Sequence, residues 1–134
     1  MQKIMFFATM FLTVVIVAAA PATICAADMA ASQQKLLEDT GIPVYPEASF
    51  TTGDDSVASM LWFKSKDSPE KIMDWYEEKL SGWSVLLANG TKVLYLGPKG
   101  KEAKDLLTLP HIWARTTDET PGSKDSEITI RIPK

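Results

Sequence analysis

Ser68-Pro69-Glu70-Lys71-Ile72-Met73-Asp74-Trp75-Tyr76-Glu77-Glu78-Lys79-Leu80-Ser81-Gly82-Trp83 reads as a helix with both ends marked. Ser68 is a natural N-cap, Pro69 suits the first helical position, and Glu70 meets the positive end of the helix dipole. Ile72, Trp75, Tyr76 and Leu80 recur at i, i+3, i+4 and i+8, which places them on one face. Lys79 falls inside that apolar arc, but in the last turn its long stem lets the ammonium reach outward. Gly82 stops the helix and Trp83 opens the next strand. Glu70, Asp74 and Glu77, with Glu78 beside them, line the opposite face and read as a solvated stripe.

Outward from this helix, every other element reads as short strand or turn. Upstream, Phe50–Thr52 and Val57–Phe63 are strands around a Gly53-Asp54-Asp55 turn. The second is apolar on both faces, which predicts a central strand covered on each side. Ile42-Pro43-Val44-Tyr45-Pro46 carries two prolines and is extended. Downstream, Ser84–Ala88 and Lys92–Gly97 flank Asn89-Gly90, a hairpin signal that Thr91 lengthens if it joins the loop. Lys101–Leu107 is a short helical piece between Gly100 and Pro110. His111–Thr117 is a strand, Asp118–Asp125 a loop and Glu127–Ile132 the final strand. In that strand Ile128, Ile130 and Ile132 alternate with Thr129 and Arg131. The prediction is an α+β fold: an antiparallel sheet of about five to six strands, one main amphipathic helix on one face, and short helices. Residues 42–134 form its single domain. Residues 28–41 are a flexible lead-in in which Lys35–Asp39 forms a short helix that stops at Gly41.

Three pieces of this stretch also carry a resemblance. Pro43-Val44-Tyr45-Pro46-Glu47-Ala48, then Asp67-Ser68-Pro69-Glu70, then Trp75-Tyr76 with Leu80 and Gly82-Trp83 resemble a pattern in small exported bacterial proteins of unknown function. Those proteins combine a P-x-Y-P-x-A opening with a D-S-P-E helix that ends in L-x-G-W. The likeness covers Ile42–Trp83 and implies architecture, without catalytic meaning. Lys71 departs from a capping box, which would place an acidic residue there.

The first 27 residues read as an export signal. Lys3 is the only charge before Asp28, an apolar run extends from Ile4 to Ala20, and small residues follow. Cys25-Ala26-Ala27 is the preferred cleavage site, leaving Asp28 as the new N-terminus. The alternatives are Ala20-Pro21-Ala22, an uncleaved anchor, and lipidation of Cys25, which Ile24 and Ala22 disfavour. Cleavage after Ala27 removes the single cysteine and with it any thiol or disulfide chemistry. It takes away Lys3 alone among the charges, leaving 13 basic against 17 acidic residues and a net charge of −4. An acidic domain with scattered lysines has no electrostatic case for nucleic acid or anionic lipid. The protein is expected to be exported, periplasmic or secreted, and to touch membrane only through the signal segment if uncleaved.

No catalytic or cofactor motif stands in the rest of the chain. His111 is the single histidine, and no second His or Cys lies at metal-ligand spacing. No G-x-S-x-G elbow is present. Gly97-Pro98-Lys99-Gly100-Lys101 lacks the spacing of a phosphate loop, and Gly53-Asp54-Asp55 lacks the ladder of a calcium loop. No catalytic residue, metal site or cofactor is assigned. The surface candidates are His111, Trp113 and Arg115, which share one strand face, with Trp62 and Tyr95 as further aromatics of interest. The reading is a non-enzymatic envelope protein, a binding or assembly module whose partner is an unknown envelope protein or a second copy. The alternative is a small hydrolase or lyase using His111 and scattered carboxylates.

Overall fold

The structure, a computed structural model, describes residues 29–117 and 124–134. The proposed signal with its cleavage sites and Cys25, and most of the Asp118–Asp125 loop, lie outside the described residues. Among those described, no helix is long and apolar enough to cross a membrane.

The described residues form two helices and six strands in the order α1 (Ala31–Thr40), β1 (Ser49–Asp54), β2 (Ala58–Ser65), α2 (Pro69–Lys79), β3 (Ser84–Ala88), β4 (Thr91–Tyr95), β5 (His111–Thr116) and β6 (Ser126–Pro133). A 3-10 helix, Ala103–Thr108, joins β4 to β5. The strands form one antiparallel sheet in the order β1-β2-β6-β5-β4-β3. The fold is therefore α+β with one main helix, as the sequence predicts. Its strand order carries one feature that linear reading does not: β6 pairs with both β2 and β5 and so joins the two halves of the sheet.

α2 starts where its N-cap dictates. Ser68 Oγ accepts from Lys71 N–H at 3.3 Å, and the helix runs from Pro69 to a C-cap at Leu80. That is two residues short of the Gly82 stop that the sequence suggested, because Trp83 N–H turns back onto Leu80 O and the strand opens only at Ser84. It lies over β4, β5 and β6. Its Ile72, Met73, Tyr76 and Leu80 pack with Leu61 and Phe63 of β2, Leu94 of β4, Ile112 of β5 and the Ile128-Ile130-Ile132 row of β6. Trp75, predicted within the core face, is only partly buried. Met73 takes the deeper place instead. Trp75 flanks the core, with its ring edge-on to Tyr45 and Tyr76, and Lys79 Nζ lies 6.0 Å above it. Nor is the acidic stripe wholly solvated, because Lys92 Nζ reaches Asp74 at 2.8 Å and Glu77 at 3.0 Å.

The extended Ile42–Pro46 crossing is pinned to the start of α2. Tyr45 O–H donates to Asp67 Oδ2 at 2.6 Å, and Lys71 Nζ lies 2.8 Å from Oδ1. Burial first, then that hydrogen bond, pushes the Tyr45 phenol up to about 12. The bonds from Lys71 and Tyr45 hold Asp67 below the usual carboxylate range.

The lead-in differs from its prediction. The helix begins at Ala31, and Met29 and Leu37 are buried in the main core beside Ile42 and Tyr45. Gly41, at φ 68°, closes α1 with its N–H on Glu38 O while Ile42 N–H bonds Leu37 O, a Schellman stop. Gln33 lies so close to Gly53 of β1 that a side chain at that glycine would collide with it. This segment is packed against the sheet, whereas the sequence reading made it flexible.

Smaller shifts have local causes. Gly53 and Asp54 belong to β1, and the turn follows them, with Asp54 Oδ1 accepting from Ser56 N–H at 2.8 Å. Asn89 (φ 50°) and Gly90 (φ 80°) are both left-handed, the signature of a two-residue type I′ turn, so Thr91 pairs directly with Ala88.

Candidate functional site

Because α2 covers one face only, strand parity decides what the other face carries. Cross-strand pairing lines up Trp62, Thr129, Trp113, Val93 and Leu86 in one row across β2, β6, β5, β4 and β3. The adjacent row is Met60, Arg131, His111, Tyr95 and Ser84, and Glu127 of β6 stands between Lys64 and Arg115 beyond the first. All three candidates, His111, Trp113 and Arg115, thus lie on the face opposite α2, together with Trp62 and Tyr95.

The face divides in two. Over β4 and β5 the 3-10 helix folds back, and its Leu106, with Leu109 just beyond, packs on Val93, Tyr95 and Trp113. Tyr95 O–H donates to Pro98 O at 3.0 Å and accepts from Lys101 N–H at 3.3 Å, which holds this connection down. Over β2 and β6 no described element lies above the sheet. Trp62 and Trp113 stand on either side of Thr129, itself only 1% exposed, and both remain half-buried. The expectation that β2 is covered on each side holds only for its Leu61–Phe63 face.

His111 is buried, at 6% exposure, where the sequence suggested a surface residue. Its Nδ1–H donates to Leu109 O at 2.7 Å, and its ring stacks on Trp113 with centroids 5.2 Å apart. Desolvation lowers its pKa below 6.5 and the Arg131 charge adds to that, while the Leu109 and Leu106 carbonyls pull the other way. The imidazole is therefore neutral at pH 7 and serves as a packed, hydrogen-bonded plate. Arg115 pairs with Glu127 across the strands at 2.8 and 3.1 Å, an exposed pair worth little stability. A groove of about 370 Å³ brings the three candidates together, lined by them with Val93, Leu106, Ala88 and the Asn89 turn.

Arg131 is the residue that sequence reading passed over. Its Nε is buried without a hydrogen-bond partner among the described residues. The alternation of Thr129 and Arg131 with the isoleucines was the available signal, but it reads equally as a plain solvent face. Among the described residues no group of three or more His, Cys, Asp or Glu side chains gathers as a metal site. Chemically, the face offers apolar rings, a guanidinium and backbone-anchored polar groups, which suit recognition. No protein family, no characterised protein and no solved structure matches the chain.

Proposed function

We propose that this chain is an exported envelope protein, akin to the small exported proteins it resembles, and acts as a non-enzymatic binding module through the sheet face opposite α2. One observation carries the reading. Trp62 and Trp113 flank Thr129 on the face opposite α2, Trp113 at the margin of the part that the 3-10 helix covers and Trp62 beyond it, with Arg131 alongside. Half-buried tryptophans and arginine are the side chains that contribute most to protein–protein recognition. The neutral, immobilised His111 supports a role in shaping that surface rather than in proton transfer.

The test is site-specific photo-crosslinking in living cells. A crosslinking residue at position 62 or 113 is expected to capture a defined envelope partner, and one at Glu78 on the outer face of α2 is not. Equal capture from all three positions, or none from 62 and 113, would sink the proposal. Mass spectrometry of the same material tests export, with Asp28 expected at the N-terminus.

A further inference from the structure

The two edges of the sheet are built differently. β1 is broken by a register shift between Phe50 and Thr52 and ends in Gly53-Asp54, devices that discourage another strand from pairing. β3 has none of them. Ser84-Val85-Leu86-Leu87-Ala88 pairs with β4 in unbroken register and contains no charge, glycine or proline. On the α2 side of the sheet Val85 is 44% and Leu87 70% exposed, because the helix lies over β4–β6 and stops short of the edge.

We propose that β3 is a docking edge for a second copy of this chain, joined antiparallel about a two-fold axis at Leu86. The occupant follows from self-complementarity. In that register Val85 of each copy faces Leu87 of the other, Ser84 faces Ala88, and Leu86 faces its own equivalent. Each exposed aliphatic side chain thus gains an apolar cross-strand neighbour, in an isologous contact that closes on itself. Electrostatics permits it, since Lys92, the nearest charge on β4, is turned toward α2 and already paired with Asp74 and Glu77. The strand's outward backbone groups supply the hydrogen bonds of the shared ladder. The result is a continuous twelve-stranded sheet, with both open faces still free. This inference does not rest on the open-face reading, and either can fail alone.

Sedimentation of the purified chain tests it. The expected result is a concentration-dependent monomer–dimer equilibrium that Val85→Lys and Leu87→Lys each abolish and Trp113→Ala leaves unchanged. Val57→Lys, at an exposed turn residue away from β3, serves as the control and should also leave it unchanged. Circular dichroism verifies that the variants fold, as exposed positions should allow. Independently, Leu86→Cys in a Cys25→Ser background should oxidise to a disulfide-linked dimer, while Ser84→Cys should not, because only residue 86 meets itself. A monomer at every concentration, a dimer indifferent to both lysines, or equal crosslinking from positions 84 and 86 overturns the proposal.

Discussion

Burial decides what His111 does, and it makes the residue a probe of the folded state. Desolvation holds the folded imidazole below 6.5, whereas in the unfolded chain it titrates at about 6.5. As pH falls, the unfolded state takes the proton first. The stability contributed by the neutral ring is therefore complete above about pH 6.5. It declines as pH drops through that value and levels off below the folded pKa. Urea denaturation between about pH 8 and pH 5 should show this slope, and His111→Phe should flatten it. NMR titration of the single imidazole gives the folded value directly. Tyr76 and Trp75 make a second test of residue environment. Tyr76 is wholly buried between α2 and the sheet and Trp75 sits at the flank. Tyr76→Ala should cost about 3–5 kcal/mol and Trp75→Ala roughly half as much, by chemical denaturation. The apolar arc of α2 was legible because period 3.6 names the face. Which of Met73 and Trp75 goes deepest was not, since that depends on where the sheet ends beneath the helix.

At the scale of elements, legibility tracked local chemistry. The Ser68 N-cap of α2 and the Asn89-Gly90 turn are imposed by groups within a few residues of one another, and both appear where the sequence places them, whereas the helix stops at a Leu80 C-cap short of Gly82. α1 is the contrary case. Ala31-Ser32-Gln33-Gln34 shows no apolar period, so nothing local distinguishes it from a linker. What holds it is distant: Met29 and Leu37 enter the core formed by β2, β6 and α2, and Gly41 stops the helix so that Ile42 can follow them in. If α1 is integral to the fold, Leu37→Ala should cost about 2–5 kcal/mol, the range for a buried leucine. A change within about 0.5 kcal/mol, as for an exposed side chain, would return this segment to the status of a tether. The candidate surface followed the same rule. His111, Trp113 and Arg115 share a strand face by simple alternation. Trp62 and Arg131 joined them only through cross-strand register, which a single strand does not contain.

Across the whole molecule, β6 is the element on which the fold turns. It bonds to β2 on one side and β5 on the other, and its isoleucines are the floor beneath α2. A proline at Ile130 removes a ladder donor from a central strand and a fully buried side chain together. Ile130→Pro should therefore abolish cooperative unfolding of the entire domain, read by tryptophan fluorescence and circular dichroism in denaturant. Survival of a cooperative β3–β5 unit with α2 would contradict this. The position of β6 also sets a clock. Ribosomes deliver the N-terminal segments first, so β1, β2, α2 and the β3–β4 hairpin all emerge before the strand that unites them. Until it arrives, β2 and β5 each present an unpaired edge to whatever is near. Pairings between segments so far apart in sequence form slowly. The domain therefore stays unfinished, with its two halves unjoined, until β6 has been made.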